Sequence, residues 1–179
     1  MYFSTSQCKE ENKNQIWART LSETYFPLSA DCHNPTEFSG TLNSWSLGML
    51  GLSEMECDGV IYHRRRSHFT NEKDSSLLIT IPHKGDVYFK QASRETKCNP
   101  GRFLVERGDT PYEFWHGKRN KLWVLKVPTA SVRARLGAIN RLGALTFDTT
   151  NGVGLYFIGA VRNTIECANQ INDVGREMA

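Results

Sequence analysis

The chain has 179 residues, enough for one domain with a single sizeable core, and its 39% apolar and 23% charged residues are those of a globular protein and not of a disordered one. A net charge of +3 argues against a segment that grips nucleic acid by itself, which needs a dense Lys/Arg stripe. No apolar run reaches the roughly 20 residues that span a bilayer, and Met1 to Ser6 lacks the basic and apolar segments of a secretory signal. Cys8, Cys32, Cys57, Cys98 and Cys167 are odd in number, widely spaced and without a CxxC pair, so free thiols in a reducing cytoplasm are expected.

In chain order, the first predicted element is a helix from Asn14 to Tyr25, with Ile16, Trp17, Leu21 and Tyr25 near one face and Pro27 as its stop. Ala30 to Gly40 is polar, contains Pro35, and reads as a loop or arm. From Thr41 to Pro128 the pattern becomes a succession of short strands. Leu42 to Leu52 carries Trp45, Leu47 and Met49 in alternation, and Val60 to His68 reads as a polar strand. Leu77 to Ile81 is rich in β formers and ends at the turn Pro82-His83-Lys84-Gly85, after which Val87-Tyr88-Phe89 follows. Asn99-Pro100-Gly101 is a turn, because Pro presets φ and Gly accepts positive φ. Phe103 to Val105, Tyr112 to Trp115 and Leu122 to Val127 complete the set, with Arg107 to Pro111 and His116 to Lys118 as the turns between them. Strands at this spacing predict a sandwich or barrel.

Beyond Pro128 the helical period returns. Thr129 caps a short helix through Leu136 with Gly137 as its end, and a longer helix runs from Thr150-Asn151 toward Gly175. Phe157, Val161, Ile165, Ala168 and Ile171 form an apolar stripe on it. The expected division is therefore a helix and arm over 1–40, a barrel over 41–128, and a helical segment over 129–179.

The run from Asn99 through Phe114 resembles the ligand-binding domain of AraC/XylS-type transcription regulators: a Pro-Gly turn, an apolar strand, then a turn carrying Pro111-Tyr112 into the next strand. The likeness continues through Leu122 to Pro128 and the helix Ser131 to Leu136. More loosely, it includes Trp45-Ser46-Leu47-Gly48 and Cys57-Asp58 ahead of Arg64-Arg65. The resemblance implies an α+β fold: a cupin-like antiparallel barrel or sandwich with one helix before it and two after. It also implies that the barrel binds a small effector, that helices after it pair two copies, and that a helix-turn-helix half reads DNA. The chain ends at Ala179 before any such half, so an effector domain with its DNA-binding half absent is expected.

Two kinds of site follow. In His63-Arg64-Arg65-Arg66-Ser67-His68, Arg64 and Arg66 would face one way on a strand beside Tyr62, suited to a carboxylate or phosphate of an organic-acid effector. The other reading is a solvated edge strand blunted by its arginines. Trp45 and Trp115 are the aromatic candidates for the pocket wall, or else ordinary core. The effector set is thus Trp45, Tyr62, Arg64, Arg66 and Trp115. The stripe Phe157, Val161, Ile165, Ala168 and Ile171 is the candidate dimer contact, or it packs on its own barrel. No His-x-His occurs among His33, His63, His68, His83 and His116, which read as surface or turn residues, and Gly48-Met49-Leu50-Gly51 has no phosphate-loop context. No catalytic residue, metal or cofactor is expected. A cupin-type enzyme, metal-dependent or metal-free, and a ligand-free dimerisation module are the alternatives.

Overall fold

A computed structural model of the chain describes residues 1–8, 13–69, 76–136, 138–168 and 170. Gly137, Ile171 and the helix end near Gly175 lie outside the described residues.

The elements in chain order are β1 (Tyr2–Ser4), α1 (Lys13–Thr24), β2 (Ser29–Cys32), β3 (Gly40–Leu47), β4 (Leu50–Cys57), β5 (Val60–Arg64) and β6 (Ser76–Pro82). They continue as β7 (Val87–Gln91), β8 (Arg94–Cys98), β9 (Arg102–Arg107), β10 (Tyr112–His116), β11 (Asn120–Pro128), α2 (Thr129–Leu136), β12 (Leu145–Asp148) and α3 (Gly152–Ala168). Among the described residues the strands form a seven-stranded sheet, β1-β3-β4-β11-β6-β9-β12, and a five-stranded sheet, β2-β5-β10-β7-β8. Their pairings are antiparallel throughout. The expected α+β class, an antiparallel double sheet with one helix before and two after, is present.

Period-2 alternation places the core. Leu42, Met55, Leu78, Leu104, Leu122 and Val124 of the large sheet meet Val60, Tyr62, Phe89, Tyr112 and Phe114 of the small one. Helix α1 bridges the two sheets. Its fully buried Trp17 and Leu21 join this core. Trp17 Nε1 donates to Tyr62 Oη at 2.9 Å on one side, and just past the helix Tyr25 Oη shares a 2.6 Å hydrogen bond with Ser53 Oγ on the other. The outer face of the large sheet is covered as well: Ile158, Val161, Ile165 and Ala168 of α3 pack on Trp45, Leu47, Leu52, Ile81 and Trp123. Each fully buried side chain of this kind contributes about 1.5–3 kcal/mol by area.

Several expectations change. Leu42 to Leu52 is not one strand but a hairpin, which turns at Gly48-Met49 with Gly48 at φ 57° and leaves Met49 exposed. The strand from Val60 stops at Arg64, and Arg66–His68 forms a turn of 3₁₀-helix. Ser29–Cys32, overlapping the start of the expected Ala30 to Gly40 arm, is a strand paired to β5. β1, β4, β8 and β12 are additional strands. His116 is not a turn residue but the last position of β10, 1% exposed.

Candidate functional site

Between the sheets, against the inner side of α1, lies a cavity of about 30 Å³, room for one or two water molecules. Leu21, Tyr25 and Leu28 wall it from the α1 side, Tyr62, Tyr112 and Phe114 from the small sheet, and Met55, Leu78, Leu122 and Val124 from the large one. One acid interrupts these apolar walls. Glu106 on β9 follows the inward Leu104 by two residues, so its side chain also points in, and it is 3% exposed. Thr80 Oγ1, from the neighbouring strand, donates to Glu106 Oε1. Among the described residues no salt bridge reaches this carboxyl. Burial disfavours its charged form and pushes its pKa up to about 8, an effect the Thr80 hydrogen bond opposes but does not cancel.

The surrounding groups are held near neutrality. Burial raises the pKa of Tyr25, Tyr62 and Tyr112 above the ordinary phenol value. Beyond Tyr62, Cys57 Sγ stands 3.5 Å from Tyr62 Oη and 3.6 Å from His116 Nε2. His116 Nδ1 lies 2.7 Å from Lys118 O and donates to it, which leaves Nε2 as an acceptor for the thiol proton. Burial pushes the Cys57 thiol up to about 12 and lowers the His116 pKa, so this pair is an inert thiol and a neutral imidazole.

The sequence-predicted residues do not gather in one place. Tyr62 lines the cavity. Arg64 points in but is occupied: Nε donates to Gly108 O at 2.6 Å, Nη1 to Pro27 O at 2.5 Å, and the guanidinium lies 4.2 and 4.3 Å from the Phe26 and Phe69 ring centres. Arg66 does not share that face, because the strand has ended before it, and it is exposed. Trp115 projects outward from the small sheet and stacks on Tyr88 at 5.6 Å. Trp45 is on the outer face of the large sheet, beneath α3. The α3 stripe meets its own sheet through Val161, Ile165 and Ala168, with Phe157 packed against the same cluster. Outside the small sheet, His63, Arg65, Arg66 and Lys90 border an open groove of about 600 Å³, with Glu113 among them. Among the described residues no three His, Cys, Asp or Glu side chains converge as a metal-binding group.

Over residues 17–177 the sequence matches the AraC-binding-like domain. The chain belongs to that family. A curated relative, an uncharacterised protein in the nit 5′ region of Bacillus sp. (strain OxB-1), is 24% identical over 141 residues, 79% of this chain and 55% of the relative. The chain thus spans about half the length of that relative. The crystal structure of the AraC-like transcriptional activator CuxR superposes with a TM-score of 0.82 at 14% identity, covering 96% of this chain and 62% of that one. At that identity the likeness establishes the fold. In this AraC-binding-like domain the cavity residues that sequence reasoning passed over are Tyr25, Thr80, Glu106 and Tyr112. The available signal was alternation: Glu106 stands two positions after Leu104, and Thr80 two after Leu78, each in a strand whose inward Leu is buried.

Proposed function

We propose that this domain is the effector-sensing and dimerisation part of a cytoplasmic transcription regulator, in which a small organic molecule held between the sheets controls DNA binding by helix-turn-helix units of the same regulator. The observation that carries the reading is the cavity closed by α1. Its wall is mostly apolar and aromatic, with one carboxyl, the Thr80 hydroxyl and three phenols as its polar groups, the composition of a small-molecule pocket, and one side of it is a helix and not a strand. At about 30 Å³ the cavity accepts a larger effector only if Leu21, Tyr25 and Leu28 give way, so occupancy and the seating of α1 are linked. Tyr62 remains in the proposed effector set, joined by Tyr25, Thr80, Glu106 and Tyr112. The proposed contact between two copies is the outward face of α3, where Val153 is 85% and Tyr156 80% exposed, with Leu155 beside them. No catalytic role is assigned.

The test is a thermal-shift screen of the 179-residue chain against aromatic and aliphatic carboxylates, sugars, amines and cyclic nucleotides. A ligand at 100 times its Kd stabilises the folded state by about 2.7 kcal/mol. A hit is expected to alter amide hydrogen exchange in α1. A folded protein with no hit in any class refutes effector sensing and favours a ligand-free dimerisation module.

A further inference from the structure

Resting on the effector-sensing reading, we propose that the effector is a compact amine with an apolar body, its ammonium group seated against Glu106 in the cavity behind α1.

The wall contains a carboxyl, the Thr80 hydroxyl and three phenols, whose oxygens accept as well as donate, and no basic side chain. Thr80 supplies one hydrogen bond, to Oε1, and it is the hydrogen bond found at this carboxyl among the described residues. The nearby cations are directed elsewhere: Arg64 to the carbonyls of Gly108 and Pro27, and Lys126 to those of Thr24 and Tyr25. An anionic ligand finds no basic side chain on the wall to balance its charge, and an alcohol meets only the neutral acid and gains no ion pair. An ammonium satisfies both charge and hydrogen bonding, and the aromatic lining of Tyr62, Tyr112 and Phe114 suits a cation further. The hydrocarbon body exceeds the present volume of about 30 Å³ and lies against Leu78, Leu122 and Val124 once Leu21, Tyr25 and Leu28 give way.

Charge balance fixes the pH behaviour. Burial raises the carboxyl pKa in the empty cavity to about 8, so at neutral pH Glu106 is mostly protonated. An ammonium ligand ionises it and one proton leaves to solvent. The titratable groups facing it are Tyr25, Tyr62, Tyr112 and Cys98, all raised and therefore neutral in this range, while Arg64 and Lys126 stand by as described. With an empty-site pKa of about 8, amine affinity rises about ninefold from pH 6 to 7 and about fivefold from pH 7 to 8. A neutral acceptor that binds the protonated acid gives the opposite trend.

The experiment is isothermal titration calorimetry of the 179-residue chain with benzylamine and isopentylamine, each against the alcohol and carboxylate of the same skeleton, at pH 6, 7 and 8. The amines are expected to bind at least tenfold more tightly than their alcohols at pH 8, with the rising pH profile above. In Glu106→Gln, both the preference and the pH dependence disappear. If that variant does not fold, the profile of the native chain together with Thr80→Val, which keeps the carboxyl, decides the matter. Amine binding unchanged in Glu106→Gln overturns the assignment. Binding of alcohols or carboxylates with the amines silent, or a hit of another class in the wider screen, overturns the amine class and leaves effector sensing standing. An empty wider screen removes effector sensing and this inference with it.

Discussion

Replacing Glu106 with Gln is expected to make the protein progressively more stable than the native chain as pH rises. The folded carboxyl has its pKa raised from 4.5 to about 8. Below 4.5 it is protonated in both folded and unfolded chains, and the two proteins respond alike. Between 4.5 and 8 the unfolded chain releases a proton that the folded chain retains, so native stability falls by about 1.4 kcal/mol per pH unit. Above 8 the loss levels off, at roughly 5 kcal/mol in total. Water entering the 30 Å³ space beside the carboxyl lowers that ceiling. Gln preserves the acceptor for Thr80, and the cost of placing its amide NH₂ among apolar walls is a constant offset, so the slope and not the offset is diagnostic. Urea unfolding of both proteins at pH 5, 6, 7 and 8, extrapolated linearly to water, yields the difference directly. It is expected to move in favour of the variant by roughly 3–4 kcal/mol from pH 5 to pH 8. A difference that stays flat to within about 1 kcal/mol over that range would mean that Glu106 does not hold its proton in the folded protein, and the argument from the buried carboxyl would fall.

Leu21→Ala empties a fully buried position where α1 meets both sheets, and chemical denaturation should show a loss of roughly 3 kcal/mol. Arg64→Ala leaves the Gly108 and Pro27 carbonyls without their donor and removes two aromatic contacts, so a loss of roughly 2–4 kcal/mol is expected in the same assay; exchanging chloride for phosphate at equal ionic strength leaves the native melting temperature unchanged. Ile165→Glu buries a charge under α3 and lowers the melting temperature strongly, whereas Tyr156→Glu on the outward face changes stability by at most about 0.5 kcal/mol and shifts the sedimentation profile toward monomer. In timed iodoacetamide labelling read by mass spectrometry, Cys57 and Cys98, buried and pushed up to about 12, stay unmodified while the partly exposed Cys8 and Cys167 react.

The strands legible in the sequence are those whose residues favour the state by themselves. Leu77 to Ile81, Phe103 to Val105 and Leu122 to Val127 are apolar and rich in β formers, and α1 and α2 announce themselves by spacing and by Thr129. Ser53-Glu54-Met55-Glu56 in β4 and Arg94-Glu95-Thr96-Lys97 in β8 have no such bias. They are strands because β3, β11 and β7 offer a hydrogen-bonding edge in register, which a window of sequence does not contain. The site was harder to read for a related reason. Alternation separates the faces of a strand but does not say which is interior when both are covered, and α3 covers the face that carries Trp45. Trp115 lies one residue from the inward Phe114 and His116, and so on the wrong side of that choice. Arg64 and Arg66 were paired on the assumption that the strand continued. It stops between them, where Arg65 opens a 3₁₀ turn. The stripe on α3 was visible, while its partner, a patch assembled from β3, β4, β6 and β11, exists only after the sheet has formed.

Strand β11 has a consequence for how such a domain can change over time. Its even positions, Leu122 and Val124, form cavity wall, and Lys126 in the same row holds the carbonyls at the end of α1. Its odd positions, Trp123 and Leu125, form the seat of α3. The proposed effector cavity and the seat of α3 therefore stand back to back, one residue apart on a single ribbon of backbone. Under the proposed function, a substitution on this strand that reshapes the pocket would also tilt the platform beneath the outer helix, so ligand preference and subunit geometry would change together.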